Sequence, residues 1–170
     1  MTTSHLVLSV VGDDRPGLVS ALADAVTAHG GNWERSELAE LAGAFAGIVS
    51  VTVPAERADE LIAALRGLDG LLRVTTHVGS TTSPPTGRVL TFTVLGNDRP
   101  GIVRDVTSAI SGHALSIDSF TSRTMDAPMA GGTLFEATVS VRVPDNADAG
   151  PIVAALERLA DEIQVDLNLG

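Results

Sequence analysis

The sequence predicts an α+β fold built from two successive copies of one β-α-β-β-α-β unit. The hexapeptide at residues 12–17, Gly-Asp-Asp-Arg-Pro-Gly, recurs 84 positions later at residues 96–101 as Gly-Asn-Asp-Arg-Pro-Gly, in a chain of 170 residues. Around each hexapeptide, short apolar segments typical of strands alternate with two segments that have helical periodicity. A repeat of this length indicates duplicated domains, because solenoid repeats have shorter periods.

The first copy begins with a strand and a helix. Leu6–Val11 is a short apolar run that Gly12 closes, which predicts a strand. Asp14 is the expected N-cap of the next helix, and Pro16 suits its first position. The apolar side chains expected on the buried face of this helix are Leu18, Val19, Leu22, Ala23 and Val26.

The rest of the first copy is predicted to be a hairpin, a helix and a strand. Trp33–Leu41 and Phe45–Val53 are predicted strands, and residues 42–44 form the turn between them. Leu71–Val78 is the final predicted strand. The helix before it presents a second apolar stripe, Ala58, Leu61, Ile62, Leu65 and Leu68.

The second copy repeats this order. Val89–Val94, Ile117–Thr124, Thr133–Val143 and Ile163–Leu169 are its predicted strands. Two helical stripes separate them, Ile102, Val103, Val106 and Ile110 in the first, and Ile152, Val153, Leu156 and Leu159 in the second. Two helices on one side of a four-stranded antiparallel sheet make the ferredoxin-like arrangement.

The domain boundaries follow from composition. Residues 80–87 are rich in Ser, Thr and Pro and are the predicted linker, so the predicted domains are residues 1–79 and 88–170.

One face of each predicted sheet has no helix over it. In the strand Val89–Val94, three alternate residues face the predicted core, and the opposite face carries one Val and two Thr. That face is either covered by another surface or simply solvated.

The charge balance excludes several classes of function. The formal net charge is −10, with 21 acidic residues against 11 cations. All of the cations are Arg, so a lysine Schiff base and a phosphate-loop lysine are excluded. The sequence has no basic stripe, one Trp and no Tyr, so direct binding to nucleic acid is not expected.

No enzyme, cofactor, metal or membrane signature is found in the sequence. The four His residues lack metal-ligand spacing, and no Cys, catalytic triad or dinucleotide motif is present. We therefore expect a protein that is not an enzyme and has no cofactor. No apolar run is long enough to span a membrane and no signal peptide precedes the first strand, so a cytoplasmic location is expected.

The two hexapeptides are candidate binding loops for a small α-amino acid. Each lies at a junction of strand and helix, where unpaired N–H groups and the helix dipole favour a carboxylate. Asp14 or Asp98, with Asp13 or Asn97 beside it, could accept hydrogen bonds from an ammonium group. The alternative is a purely structural turn, with glycine for the turn, aspartate for the cap and proline to start the helix.

The backbone conformation of Gly101 distinguishes a binding loop from a purely structural turn. If its backbone angles are helical, a side chain there would occupy the space that a ligand needs, and binding would suffer more than folding. If its φ angle is positive, the glycine is required for folding instead.

The sequence resembles tandem ACT-domain proteins. It carries Asp-Arg-Pro-Gly at residues 14–17 and again at residues 98–101, each at the first strand-to-helix turn of a β-α-β-β-α-β copy. The segment Gly-Asn-Trp-Glu-Arg-Ser at residues 31–36, and the insert at residues 127–131, are similar to the group of glycine cleavage system transcriptional repressors.

This resemblance implies a non-enzymatic regulator of transcription or metabolism that binds a small, glycine-like amino acid between domains. It further implies a protein partner, such as a transcription regulator, rather than direct contact with DNA. The implied ligand-binding residues are Asp13, Asp14, Gly17, Leu18, Asn97, Asp98, Gly101 and Ile102. Because partly apolar sheet faces are usually covered, we expect a homodimer. The alternative function is a ligand-free module for dimerisation or interaction with a protein.

Overall fold

The structure is a computed structural model that divides into two compact units, residues 1–82 and 83–170. The described residues are 2–79, 86–113, 115–128, 131–158 and 163–169. The predicted boundaries of the two domains and their linker stay predictions, and residues 80–85 of that linker lie outside the described residues. None of the helices within the described ranges is long and apolar enough to cross a membrane.

The first unit has the predicted order of elements. Its four antiparallel strands lie in the sheet order β2-β3-β1-β4. A short 3-10 turn separates β3 from α2. The elements are β1 (Thr3–Asp13), α1 (Leu18–Ala28), β2 (Asn32–Leu41), β3 (Ala44–Pro54), α2 (Ala58–Arg66) and β4 (Arg73–Val78).

The second unit repeats this topology with the sheet order β6-β7-β5-β8. The α+β prediction with two ferredoxin-like units is therefore confirmed. The elements are β5 (Arg88–Asn97), α3 (Ile102–Ser111), β6 (Ile117–Asp126), β7 (Thr133–Val143), α4 (Gly150–Glu157) and β8 (Ile163–Leu169). Leu159, the last residue of the second predicted helical stripe, lies outside the described residues.

Each core lies between the two helices and one face of the sheet. In the first unit, alternate residues of β1 and β3 are buried against apolar residues of α1 and α2. In the second unit, Phe92 is fully buried among residues of β7, α3 and α4. The opposite face of β5 is more polar, and Thr91 Oγ1 lies 3.1 Å from Ser140 Oγ across the strand pair.

The predicted start of the first helix in each unit is wrong. Helix α1 begins at Leu18 and α3 begins at Ile102, one residue after Gly17 and Gly101 respectively. These glycines are the N-cap residues, with φ angles of 92° and 88°, and no side chain caps either helix. Asp14 is therefore not the N-cap, and Pro16 lies before the helix, because the chain turns through a left-handed glycine first.

The predicted buried stripes of these helices are too wide. Leu18, Leu22 and Val26 are buried in α1, but Val19 is 44% exposed, and its counterpart Val103 in α3 is 42% exposed. A short helix on a small sheet buries about one side chain per turn, so the residue beside each buried one faces solvent.

Candidate functional site

The two repeated loops have the same backbone anchor. The N–H of Asp14 donates to the carbonyl of Gly43 at 2.9 Å, and the N–H of Asp98 donates to the carbonyl of Thr133 at 2.8 Å. Gly43 lies in the turn between β2 and β3, and Thr133 is the first residue of β7. Each loop is thus tied to the hairpin next to the central strand of its own sheet.

The backbone of each loop requires glycine at its last position. The carbonyl of Gly17 accepts the N–H of Ala21 at 2.9 Å, and the carbonyl of Gly101 accepts the N–H of Asp105 at 3.0 Å. A Cβ atom at Gly17 would meet no heavy atom within 4 Å, so space is not the constraint. The positive φ angle is the constraint at both positions. The φ angle of Gly101 is positive and not helical, so of the two cases considered for this glycine the structure shows the one in which the turn requires it.

The structure divides the eight predicted site residues into exposed and buried ones. The side chains of Asp13, Asp14, Asn97 and Asp98 belong to exposed residues at the ends of β1 and β5. Leu18 and Ile102 are only 2% and 3% exposed and belong to the cores. These two can offer a ligand only main-chain atoms, and the N–H of Ile102 already lies 3.3 Å from the carbonyl of Arg99.

An open pocket of about 390 Å³ lies beside the loop of the first unit. It combines the end of β1, the start of β3 and the segment that leads into β4. Of the predicted site residues, only Asp13 lines it. The complete lining is Val11, Gly12, Asp13, Arg15, Ala44, Asp69, Gly70, Leu71, Leu72 and Arg73.

The two arginines of the repeated motif have different partners. Arg15 Nη2 donates to the carbonyl of Gly70 at 2.7 Å, at the pocket. Arg99 Nη1 instead donates to Asp105 Oδ2 at 2.7 Å and forms a partly buried ion pair. The position equivalent to Asp105 in the first copy is Ala21, which has no carboxylate.

Two guanidinium groups hold the Asp105 carboxylate in its charged form. The hydrogen bond from Arg99 is the largest cause that lowers the pKa of Asp105, and the hydrogen bond from Arg104 adds to it. Burial raises the pKa of Asp105, but the two arginines lower it by more. The ion pair of Arg99 with Asp105 therefore stabilises the loop of the second unit. The first unit has Ala21 at the position of Asp105 and cannot form the equivalent pair.

Most of the pocket lining could not be predicted from the sequence. Arg15 had a signal, because it recurs as Arg99 inside the repeated motif. Asp69 and Arg73 had none, because they come next to the loop only when β4 pairs with β1, where Arg73 lies opposite Val11.

Comparisons with known proteins match both units to one family. Family models described as ACT domain match residues 4–79 and residues 89–161. The glycine cleavage system transcriptional repressor of Escherichia coli (strain K12) is 28% identical over 163 residues, which cover 94% of this chain and 85% of that protein.

Two solved structures align with nearly the whole chain. An unknown protein from Galdieria sulphuraria has a TM-score of 0.85 and 30% identity, with 98% of each chain covered. A protein provisionally named a glycine cleavage system transcriptional repressor has a TM-score of 0.72 and 22% identity, with 99% of this chain and 98% of that chain covered. With a family model matched to each half, the chain belongs to the ACT-domain family and carries two ACT domains in tandem.

Proposed function

We propose that this protein is a non-enzymatic regulator in the cytoplasm that binds a small, glycine-like α-amino acid. One observation carries the proposal. The same loop, with the same left-handed glycine and the same anchor to a neighbouring hairpin, occurs in both ACT domains. Duplication preserved the sequence Asp-Arg-Pro-Gly in both loops, whereas Asp105 and Ala21 differ nearby.

The chemistry of the loops suits the two ends of an amino acid. The exposed carboxylates of Asp13, Asp14 and Asp98, and the amide of Asn97, offer acceptors to an ammonium group. Main-chain groups at Gly17 and Gly101, and at the first helical residues after them, lie at the positive end of a helix dipole, which favours a carboxylate. As the resemblance to other ACT proteins implies, we place the ligand at an interface of ACT domains.

We propose that amino-acid binding controls transcription or metabolism through a protein partner. The relative from Escherichia coli is named a transcriptional repressor. This chain, however, has a net charge of −10 and no lysine. Its charge therefore disfavours binding to the phosphate backbone of a nucleic acid. A partner protein would then contact the DNA or the controlled enzyme.

A ligand screen tests the sensing function. We expect at least one of the twenty amino acids to raise the Tm of the full chain at millimolar concentration. A ligand present at 100 times its Kd adds about 2.7 kcal/mol to the free energy of unfolding. If no amino acid changes the Tm, the protein is not an amino-acid sensor.

A ligand-free interaction module is the second candidate function. Val11 and Ile48 are 45% and 51% exposed, and both lie on strands of the first sheet, pointing away from its core. Apolar side chains on an open sheet face favour contact with another protein or a second copy. Light scattering after size-exclusion chromatography should show a homodimer, and a strict monomer that binds no partner would contradict this candidate.

A further inference from the structure

The turn between α2 and β4 contains an Asp-Gly sequence, Asp69 followed by Gly70. It is the only Asp-Gly pair in the chain, and no Asn-Gly pair occurs. Both residues are exposed, and a Cβ atom on Gly70 would meet no heavy atom within 4 Å. Because glycine has no side chain, nothing shields its main-chain nitrogen from the carboxyl group of the residue before it. The carboxyl group of Asp69 can therefore approach this nitrogen.

The peptide group that joins Asp69 to Gly70 is not held by the fold. Within the part of the chain that the structure describes, neither the N–H of Gly70 nor the carbonyl of Asp69 has a hydrogen-bond partner. Most peptide groups of folded proteins are paired, so this one is unusual. It can rotate, because glycine tolerates φ angles of either sign. The nitrogen of Gly70 is therefore free to turn towards the side chain of Asp69.

The peptide groups on either side of this one are held. The carbonyl of Leu68 accepts the N–H groups of Leu71 and Leu72, both at 2.9 Å. The carbonyl of Gly70 accepts a hydrogen bond from Arg15 Nη2 at 2.7 Å. The turn thus stays closed while the single peptide group inside it rotates, and a reaction there does not require local unfolding.

The second copy lacks this sequence. When β4 is aligned with β8 through their pairing with the first strand of each sheet, Ala160 and Asp161 stand in place of Asp69 and Gly70. Alanine has no carboxyl group that the next main-chain nitrogen could attack. The Asp-Gly turn is therefore specific to the first domain.

We propose that Asp69 is a site of spontaneous isomerisation to isoaspartate through a succinimide. The main-chain nitrogen of Gly70 attacks Cγ of Asp69, a C–N bond replaces the Cγ–OH bond, and the amide proton leaves with the hydroxyl group as water. Water then opens the ring. Attack at the main-chain carbonyl carbon leaves the chain joined through Cγ, as isoaspartate, and attack at Cγ restores aspartate. The atoms balance without an oxidant or a cofactor, and the reaction is independent of the proposed function.

The modification changes the main chain of the first domain. Isoaspartate inserts the Cβ methylene of Asp69 into the backbone and turns its former main-chain carbonyl into a free carboxylate. The next carbonyl along the chain is that of Gly70, which Arg15 binds, and β4 begins at Arg73. We therefore expect isomerisation to displace the contact between Arg15 and Gly70.

Peptide mapping of the full chain tests the proposal. The protein is aged at neutral pH and cleaved after arginine, which releases residues 67–73, where Asp69 is the only acidic residue. Isoaspartate has the mass of aspartate but separates from it by chromatography, and the succinimide is lighter by one water. Because no hydrogen bond has to break, the folded chain should isomerise at a rate within about tenfold of that of the free peptide 67–73. If only the free peptide isomerises, the proposal is wrong.

Two variants of Asp69 test the chemistry. Asp69→Glu keeps the charge but would need a larger ring, so it should isomerise at least about tenfold more slowly than the wild type. Asp69→Asn should react at least about tenfold faster, because an amide needs no prior protonation, and should yield both aspartate and isoaspartate. Asp69 is exposed, so both variants should keep the Tm of the wild type. Equal rates for the three proteins would contradict the succinimide route.

Asp118 is a control within the same chain. It also precedes a small residue, Ser119, but it lies in β6, and its carboxylate accepts a hydrogen bond from Arg142 Nη2 at 2.6 Å. We expect it to remain aspartate while Asp69 isomerises. Equal isomerisation at Asp118 and Asp69 would show that the free peptide group of the turn does not select the site.

Amide spectra of the aged protein measure the structural effect. A second set of backbone signals should appear for Arg15, Gly70 and Leu71, in proportion to the isoaspartate found by peptide mapping, and the signal of Arg99 in the second domain should stay single. If isoaspartate forms at Asp69 but the signal of Arg15 does not change, the expected displacement of its contact with Gly70 is wrong.

Discussion

At the scale of single residues, Gly101 gives the clearest prediction. Its φ angle of 88° is one that alanine adopts only with strain, so Gly101→Ala should lower the free energy of unfolding by more than about 1 kcal/mol. The nearest heavy atom to an added Cβ is Arg104 Nη2, at 3.5 Å, so the loss comes from backbone strain and not from a clash. Urea unfolding measures it.

Two further variants control this prediction. Gly112 ends the same helix with a φ angle of −58°, so Gly112→Ala should be neutral or stabilising by up to about 1 kcal/mol. Gly101→Asn should lose less stability than Gly101→Ala, because asparagine tolerates the left-handed region better. Equal losses for the alanine and asparagine variants would contradict the role given to the φ angle.

Asp105 gives a prediction about pH. Because Arg99 and Arg104 lower its pKa in the folded protein, its charged form contributes stability above the ordinary pKa of aspartate, about 3.9. That contribution falls as the pH drops through this range and is absent below the lowered value. Asp105→Asn should therefore be less stable than the wild type at pH 7, with a difference that shrinks between about pH 5 and pH 3.

Chemical unfolding of both proteins across this range measures the difference. Arg99→Gln removes the main hydrogen bond to the same carboxylate and should reduce the pH dependence in the same interval. A difference between the wild type and Asp105→Asn that stays constant down to pH 3 would show that the ion pair adds nothing to stability.

At the scale of elements, Gly47 controls the pairing of β2 with β3. It lies opposite Leu38 in this strand pair, and a Cβ atom would overlap the carbonyl oxygen of Glu37. Gly47→Ala should destabilise the protein by about 1 to 3 kcal/mol, because one of the two strands must shift. Ala46→Ser, one residue earlier on β3, should preserve the pairing. Urea unfolding compares the two variants, and equal stability would overturn this role of Gly47.

The order of elements could be predicted from sequence because periodicity reports which side chains are buried. The alternation in β1 and β3 and the spacing of Leu18, Leu22 and Val26 reflect the cores directly. The N-caps were missed because Asp14 and Pro16 form an ordinary capping pattern, while the left-handed turn at Gly17 leaves no periodic signal. The pocket was missed because β4 lies far from β1 in sequence.

At the scale of the whole molecule, each domain has a core of its own. Leu8 and Phe92 occupy equivalent central positions of the first strand in the two copies, and both are fully buried. Leu8→Ala should cost about 2 to 5 kcal/mol in the first domain, and Phe92→Ala about 3 to 5 kcal/mol in the second. Each variant should expose mainly the amides of its own domain to exchange with solvent.

Hydrogen exchange of the full chain, resolved by residue, measures this independence. In Phe92→Ala, we expect protection to fall within residues 88–170 and to persist within residues 1–79, and Leu8→Ala should show the reverse. A uniform loss of protection across the chain in either variant would mean that the two halves unfold as one cooperative unit.

The sheet order also determines when each half can finish folding during synthesis. The central strand of each sheet is made first, and β4 and β8, which complete the sheets, are made last. About 90 residues separate the end of β4 from the end of β8, so the ribosome needs roughly 5 to 20 s to make them. During this interval the first half can close its sheet, while the second sheet stays incomplete until its last strand, β8, has been made. The order of translation thus gives the first half time to pair its own strands before the second sheet can be completed.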